Sequence, residues 1–172
     1  MRVCIDLDGT IFDFGTWFHA QAEATLGRAL LSPKTWQVYD LAENMKLSPD
    51  EHSTVWKNLT GHPELYPGAS SFVGALEGLG HQIVFATAGI PAIRETRERI
   101  IKDAFGLPLI FTPHKKYLNA HVLVDDSLDQ HDGFNGFSLA IRRSYHPEGH
   151  NPRILICDDF AGVLSWFDAI RR

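Results

Sequence analysis

Residues 2–10, Arg-Val-Cys-Ile-Asp-Leu-Asp-Gly-Thr, constrain the fold more than any other stretch of the chain. Val3, Cys4, Ile5 and Leu7 form a short apolar run that reads as a buried strand. It ends in two carboxylates, Asp6 and Asp8, followed at once by Gly9, a residue type that lets the backbone turn sharply. Side chains alternate along a strand, but a turn starting here swings both acids toward one crevice at the strand's carboxyl end. Open α/β sheets bind their ligands at that end. An Asp-Gly turn is also ordinary turn chemistry, so the remaining strands decide between the two readings.

From Pro67-Gly68 onward the pattern alternates strand and helix. Phe72, Leu76 and Leu79 mark a helix closed by Gly80, and Gln82–Ala86 is a strand running into Thr87-Ala88-Gly89. Ile93, the stem of Arg97, Ile100, Ile101 and Phe105 mark the next helix, closed by Gly106. Leu109–Phe111, Val122–Val124 and Ser138–Ile141 are short apolar strands, and Phe160, Val163, Leu164, Phe167 and Ile170 stripe a last helix. This alternation predicts an α/β, Rossmann-like, mainly parallel sheet with helices on both faces.

Residues 14–66 differ in character. Phe14, Trp17, Phe18, Ala22 and Leu26 recur at helical spacing up to Gly27. Ser32-Pro33 reads as an N-cap with proline at the first helical position, and Thr35–Leu41 leaves room for a short strand. Ser48-Pro49-Asp50-Glu51 is a capping box, opening a helix expected to stop at Gly61. Trp17, Trp36 and Trp56, three of the four tryptophans, lie in this stretch. It reads as a small, aromatic-rich helical insert after the first strand.

With 172 residues, 44% of them hydrophobic, one domain with a sizeable core is expected. A net charge of −5 and the absence of a basic run argue against a nucleic-acid polymer or an anionic membrane as partner. Met1-Arg2 leads directly into the first strand and no apolar stretch approaches spanning length, so neither a signal peptide nor a membrane segment is expected. Cys4 and Cys157 sit in apolar, strand-like runs, which fits buried thiols in a reducing, cytoplasmic setting.

The strand ends carry polar residues that an apolar sheet does not need: Asp6 and Asp8, then Thr87, then Lys115-Lys116 after Thr112-Pro-His, then Asp125-Asp126. Singly, Thr87 reads as a helix cap, the lysines as a solvated turn, and the aspartate pair as a turn before Ser127. Together they present four acids to one crevice. Two like charges ~4 Å apart repel by about 4 kcal/mol at an effective dielectric of ~20. One lysine cannot offset four carboxylates, whereas a divalent cation with oxygen ligands can, and this ligand set suits Mg²⁺. The lysine and the threonine hydroxyl are then free to hold the oxygens of a phosphate.

This order of motifs resembles the haloacid dehalogenase (HAD) superfamily of phosphotransferases, over the whole chain. The resemblance implies a catalytic core of residues 1–13 and 67–172, with residues 14–66 as a small helical cap. It implies a phosphomonoesterase with Asp6 as the nucleophile that becomes phosphorylated and Asp8 as general acid and then base. Thr87, Ala88 and Lys115 would hold the phosphoryl oxygens. Asp6, the carbonyl of Asp8, and Asp125 would hold Mg²⁺, with Asp126 behind them or exchanging roles with Asp125.

Within the superfamily the chain is similar to the type C 5′-nucleotidases, the 5′(3′)-deoxyribonucleotidases. Phe14 stands eight residues after the nucleophile, Leu65-Tyr-Pro-Gly68 precedes the helix before Thr87, and Lys115 precedes Asp125 by ten. Arg143-Ser-Tyr-His-Pro with Asn151 and Arg153 matches a late loop of that family. A departure is Thr87-Ala-Gly, where that family usually has Thr-Ser-Pro. The implied substrate is a (deoxy)nucleoside monophosphate, with Phe14 and Phe18 against the base; Phe14, Trp17 and Phe18 at helical spacing also fit a plain apolar core. The alternative substrate is another small phosphometabolite, such as a sugar phosphate. His146 and His150 flank Pro-Glu-Gly and read as solvated loop residues, too few for a zinc site. A non-catalytic receiver domain, which also combines paired acids, a threonine and a lysine, places its lysine last and lacks room for the insert. The oligomeric state stays open, a homodimer included.

Overall fold

The computed structural model describes residues 1–146 and 151–171, so Pro147 and His150 lie outside the described residues. The strands are β1 (Arg2–Ile5), β2 (Gln82–Thr87), β3 (Leu109–Phe111), β4 (Val122–Asp125), β5 (Phe137–Ile141) and β6 (Ile154–Cys157). They form one sheet in the order β3-β2-β1-β4-β5-β6, every neighbouring pair parallel. Cys4 of β1 sits opposite Val84 of β2 and Leu123 of β4. The chain steps from β1 outward to β2 and β3, then crosses back to β4 on β1's other side. The carboxyl end of β1 is therefore the topological switch point, the crevice of an open α/β sheet.

The helices are α1 (Phe14–Leu26), α2 (Leu41–Met45), α3 (Pro49–Lys57), α4 (Ala69–Gly78), α5 (Arg94–Phe105) and α6 (Phe160–Ala169). Phe72 and Leu76 of α4, Ile101 of α5, and Val163 and Phe167 of α6 share one core with Ile5, Phe85, Val124 and Leu139. The opposite face, formed by Cys4, Ala86 and Leu123, is covered by Leu118, Ala120 and Phe134. Short 3₁₀ turns, Lys115–Tyr117 and Leu128–His131, lie in the connections before and after β4. β1 is buried on both faces, as a central parallel strand requires.

The insert forms a second apolar cluster of Phe14, Phe18, Ala22, Trp36, Met45, Val55 and Leu59. Its two ends are adjacent: Phe12 bridges Leu65, the Asp13 amide donates to Glu64 and the Tyr66 amide donates to Ile11. Both expected caps form, since Gly27 closes α1 in the left-handed region and Ser48 and Glu51 make the reciprocal capping box. Two boundaries differ from expectation. α3 ends at Lys57, where Asn58 closes it, short of Gly61. Ser32-Pro33 opens only the 3₁₀ turn Pro33–Thr35, after which Trp36 leaves to fill the insert's core with its indole N–H on the Leu31 carbonyl. Thr35–Leu41 contains no strand; the Asn44 side chain accepts from the Gln37 and Val38 amides and holds this segment irregular.

Candidate active site

The carboxyl ends of three adjacent strands build the site. β1 delivers Asp6 and Asp8, β2 delivers Thr87, and β4 delivers Asp125 and Asp126. Gly9 follows with φ of 82°, and a Cβ there would collide with the Asp126 carboxylate. No side chain fits, so the glycine is required both by its dihedral and by the close approach.

Lys115 comes from the 3₁₀ turn after β3 and is 4% exposed. Its ammonium donates to Asp6 Oδ1 and, at 2.6 Å, to Asp125 Oδ2. Burial alone would lower its pKa, but the Asp6 and Asp125 carboxylates outweigh burial and hold it above the usual lysine range. Asp125 also accepts from the Ser127 amide at 2.9 Å. Burial, then the Asp6 charge, push Asp125 well above the usual carboxylate range, with Lys115 opposing. Lys116 is exposed and lies outside the site.

Asp126 is arranged differently. It accepts from the Thr10 hydroxyl at 3.1 Å and from the Tyr145 hydroxyl, and it faces the cavity, which Asp125 does not. Burial followed by the Asp6 charge raises its pKa to about 6. Burial and the adjacent Asp126 charge lift the Tyr145 phenol above its usual range. His146, expected in solvent, instead donates from Nε2 to the Asp126 carbonyl at 2.6 Å. Arg143 donates to the Gly9 carbonyl through Nε at 2.8 Å and through Nη2, and its guanidinium lies 4.6 Å from the Tyr66 ring centre.

The largest correction concerns Asp8. Arg97, credited from sequence only with an apolar stem, is fully buried and grips the Asp8 carboxylate with Nη2 on Oδ1 and Nη1 on Oδ2, the latter at 2.5 Å. Arg97, like Arg143 near Asp126, is a cation that the count of one lysine against four acids leaves out. Burial still raises the Asp8 pKa to about 6, with Arg97 opposing. Thr87, 2% exposed, places its hydroxyl 3.4 Å from Asp8 Oδ2 and 3.4 Å from Arg97 Nη1. The available signal was a lone arginine on the buried stripe of a helix, whose charged head needs a partner.

A cavity of about 640 Å³ opens above these groups toward the insert. Asp8, Asp126 and Ala88 are at its polar end, and Phe14, Trp36, Tyr39, Trp56 and Tyr66 form its aromatic walls. Phe18 is not among them: one turn beyond Phe14, it is fully buried in the insert against Phe14 and Trp56. Facing the insert's own core removes it from the base-binding set.

Asp6, Asp125 and Asp126 bring one carboxylate oxygen each within 4.8 Å of one another. Lys115, Arg97 and Arg143, whose charge bears on Asp126, offset part of the four-acid charge, and the remaining excess suits a divalent cation. An all-oxygen, acidic donor set of this kind fits Mg²⁺.

Comparison with solved structures agrees with this architecture. A haloacid dehalogenase-like family hydrolase from Xanthomonas campestris is 15% identical, with a TM-score of 0.61 over 99% of this chain and 95% of that one. A predicted phosphoglycolate phosphatase from Haemophilus somnus is 16% identical, with a TM-score of 0.61 over 96% and 97%. A variant of CbbY from Rhodobacter sphaeroides, in complex with xylulose-(1,5)bisphosphate, is 17% identical, with a TM-score of 0.55 over 93% and 94%. The fold is thus the Rossmann-like α/β fold of the HAD-type hydrolases. No family model matches the sequence, and no curated protein matches it.

Proposed function

We propose that this protein is a Mg²⁺-dependent phosphomonoesterase acting through an aspartyl-phosphate on Asp6, with residues 14–66 as its cap. The observation that carries the reading is the convergence of Asp6, Asp125 and Asp126 at one point, beside a buried lysine that bridges two of them. Asp6, Asp126 and the Asp8 carbonyl would hold the cation. Asp126 rather than Asp125 is proposed because Asp126 faces the cavity and Asp125 does not. Bound there, the cation would neutralise the carboxylates and the phosphoryl oxygens.

The remaining chemistry belongs to the chain's own residues. An Asp6 oxygen attacks phosphorus and the ester P–O bond breaks; the leaving oxygen takes the proton of the Asp8 carboxyl. Water then gives a proton to the Asp8 carboxylate and its oxygen bonds phosphorus. The bond to Asp6 breaks, freeing phosphate and restoring both acids. Splitting a very slow hydrolysis into two steps in this way is the advantage of a carboxylate nucleophile. Thr87, the Ala88 amide and Lys115 hold the phosphoryl oxygens meanwhile.

The substrate we propose is a small phosphometabolite. A sugar phosphate or similar compound is supported by the names of the structural relatives, a predicted phosphoglycolate phosphatase and a protein in complex with a sugar bisphosphate. A nucleoside monophosphate is supported by one specific observation, the aromatic walls of the cavity beside Asp8. A panel of both classes, assayed with Mg²⁺ and with chelator, tests the proposal. Turnover abolished by chelator is expected, and the faster class is the substrate. Inertness toward every monoester would overturn the reading.

A further inference from the structure

We propose that Arg97 is a positioning residue for the proton donor: its guanidinium fixes the Asp8 carboxyl in the orientation that serves the leaving oxygen. The inference rests on the phosphatase reading above. Arg97 is 0% exposed, so it does not reach substrate and acts only through its neighbours. It sits on the buried stripe of α5 with Ile101, and Ile93, at the helix's N-cap, is buried too.

An arginine at such a position adds little net stability. Replacing a buried ion pair with well-packed apolar side chains is often neutral or stabilising. The contact geometry points to a different contribution. Nη1 and Nη2 meet the two oxygens of Asp8 separately, which fixes both the place and the plane of the carboxyl group. A single-point lysine contact fixes only the place.

Three further observations point the same way. Nη1 lies 3.4 Å from the Thr87 hydroxyl, so one guanidinium aligns the proposed proton donor with a proposed phosphate ligand. Among the described residues Arg97 Nε is buried without a hydrogen-bond partner, a cost accepted to aim the other two nitrogens at Asp8. The Phe14 ring stands 5.6 Å from the guanidinium carbon on the cavity side. The two acids of the first strand are thus held by separate cations: Asp6 by Lys115, together with Asp125, and Asp8 by Arg97.

The test compares kcat/KM on two monoesters, an alkyl phosphate and p-nitrophenyl phosphate, for wild type, Arg97→Lys and Arg97→Gln. For an enzyme that forms a phosphoenzyme, kcat/KM reports the first transfer. An alkoxide leaving group needs the proton from Asp8, and p-nitrophenolate needs it far less. The ratio of the two values on one preparation does not depend on how much of the variant is folded, so a destabilised variant still discriminates between the outcomes. Both variants should lose at least about tenfold more on the alkyl ester than on p-nitrophenyl phosphate, within the ~10²–10⁴ that general acid catalysis supplies. Equal losses on the two esters would make Arg97 a structural residue and overturn the inference, as would wild-type values for Arg97→Lys on both. A wild type inert on both esters would overturn the phosphatase reading itself and this inference with it.

Discussion

Arg97 and Asp8 form a two-pronged ion pair across 89 positions of sequence, the arginine wholly buried and the aspartate side chain 23% exposed to the cavity. Lys115 makes the corresponding bridge for Asp6, which it ties to Asp125. Two acids two residues apart therefore rest on different cations, an arrangement that suits two different chemical tasks.

Asp6→Asn removes the proposed nucleophile and relieves repulsion from its acidic neighbours, while Lys115 keeps Asp125 as its partner. Turnover should fall by roughly 10³-fold or more, while the thermal midpoint without metal holds or rises. Steady-state assay and a melting curve check both; retained activity would contradict the assignment of Asp6.

Asp8→Asn should slow both half-reactions, each by roughly 10²–10⁴-fold. Rapid quench with labelled substrate separates formation of the phosphoenzyme from its loss. An effect on one step alone would mean that Asp8 does not serve both.

Magnesium should stabilise the fold, and more so at higher pH. Asp126 has its pKa raised to about 6 from 3.8, so the metal-free native state holds that proton more tightly than the unfolded chain does. This contribution is present below pH 3.8 and is lost as pH rises through about 6, where the group ionises despite its burial and repels Asp6. A cation removes that repulsion and competes with the proton. At a hundredfold excess over Kd it adds about 2.7 kcal/mol, several degrees for a domain of this size. The difference between midpoints with Mg²⁺ and with chelator should therefore be larger at pH 7.5 than at pH 5. A pH-independent difference would place the cation elsewhere.

His131 opposes this trend in the metal-free protein. It is 4% exposed, and burial lowers its pKa from 6.5 to about 4. The native ring stays neutral while the unfolded chain takes up a proton. Stability contributed above pH 6.5 is thus lost as pH falls toward 4. By pH 5 the loss is roughly 2 kcal/mol. Urea unfolding of wild type and His131→Gln, in chelator, should show the gap between them narrowing by that amount from pH 7.5 to pH 5. A constant gap would contradict the neutral, buried ring.

Phe14→Ala separates the two substrate classes. Loss of base stacking is worth ~1–3 kcal/mol, or roughly 5- to 150-fold in KM for a nucleoside monophosphate. A sugar phosphate should be nearly unaffected. Parallel KM measurements check this, and an equal effect on both would remove the stacking role.

Much of the fold was legible because its signals are local. Gly27, the Ser48 box, and the polar residues ending β1, β2 and β4 each declare themselves within a few residues. The Arg97–Asp8 pair was not legible, since a helix-spaced arginine looks like an apolar stem until the strand it packs behind is known. Phe18 failed for a related reason: helical spacing placed it one turn beyond Phe14 without saying that this turn points into the insert's core. The different surroundings of Asp125 and Asp126 come from Lys115, Thr10 and Tyr145, which reach them from three separate segments. The helix expected from Ser32-Pro33 is reduced to a 3₁₀ turn, because Ser32 makes no side-chain cap and Trp36 leaves for the insert's core.

Whether the acids, the lysine and the threonine act on one phosphoryl group is decided by a crystal structure of the protein grown with Mg²⁺ and beryllium fluoride, a phosphoryl mimic that binds carboxylates. The expected result is the fluoride group on Asp6, beside Thr87 and Lys115, with Mg²⁺ held by Asp6 and Asp126. An unmodified Asp6, with the metal bound away from the Asp125-Asp126 pair, would contradict the proposed chemistry.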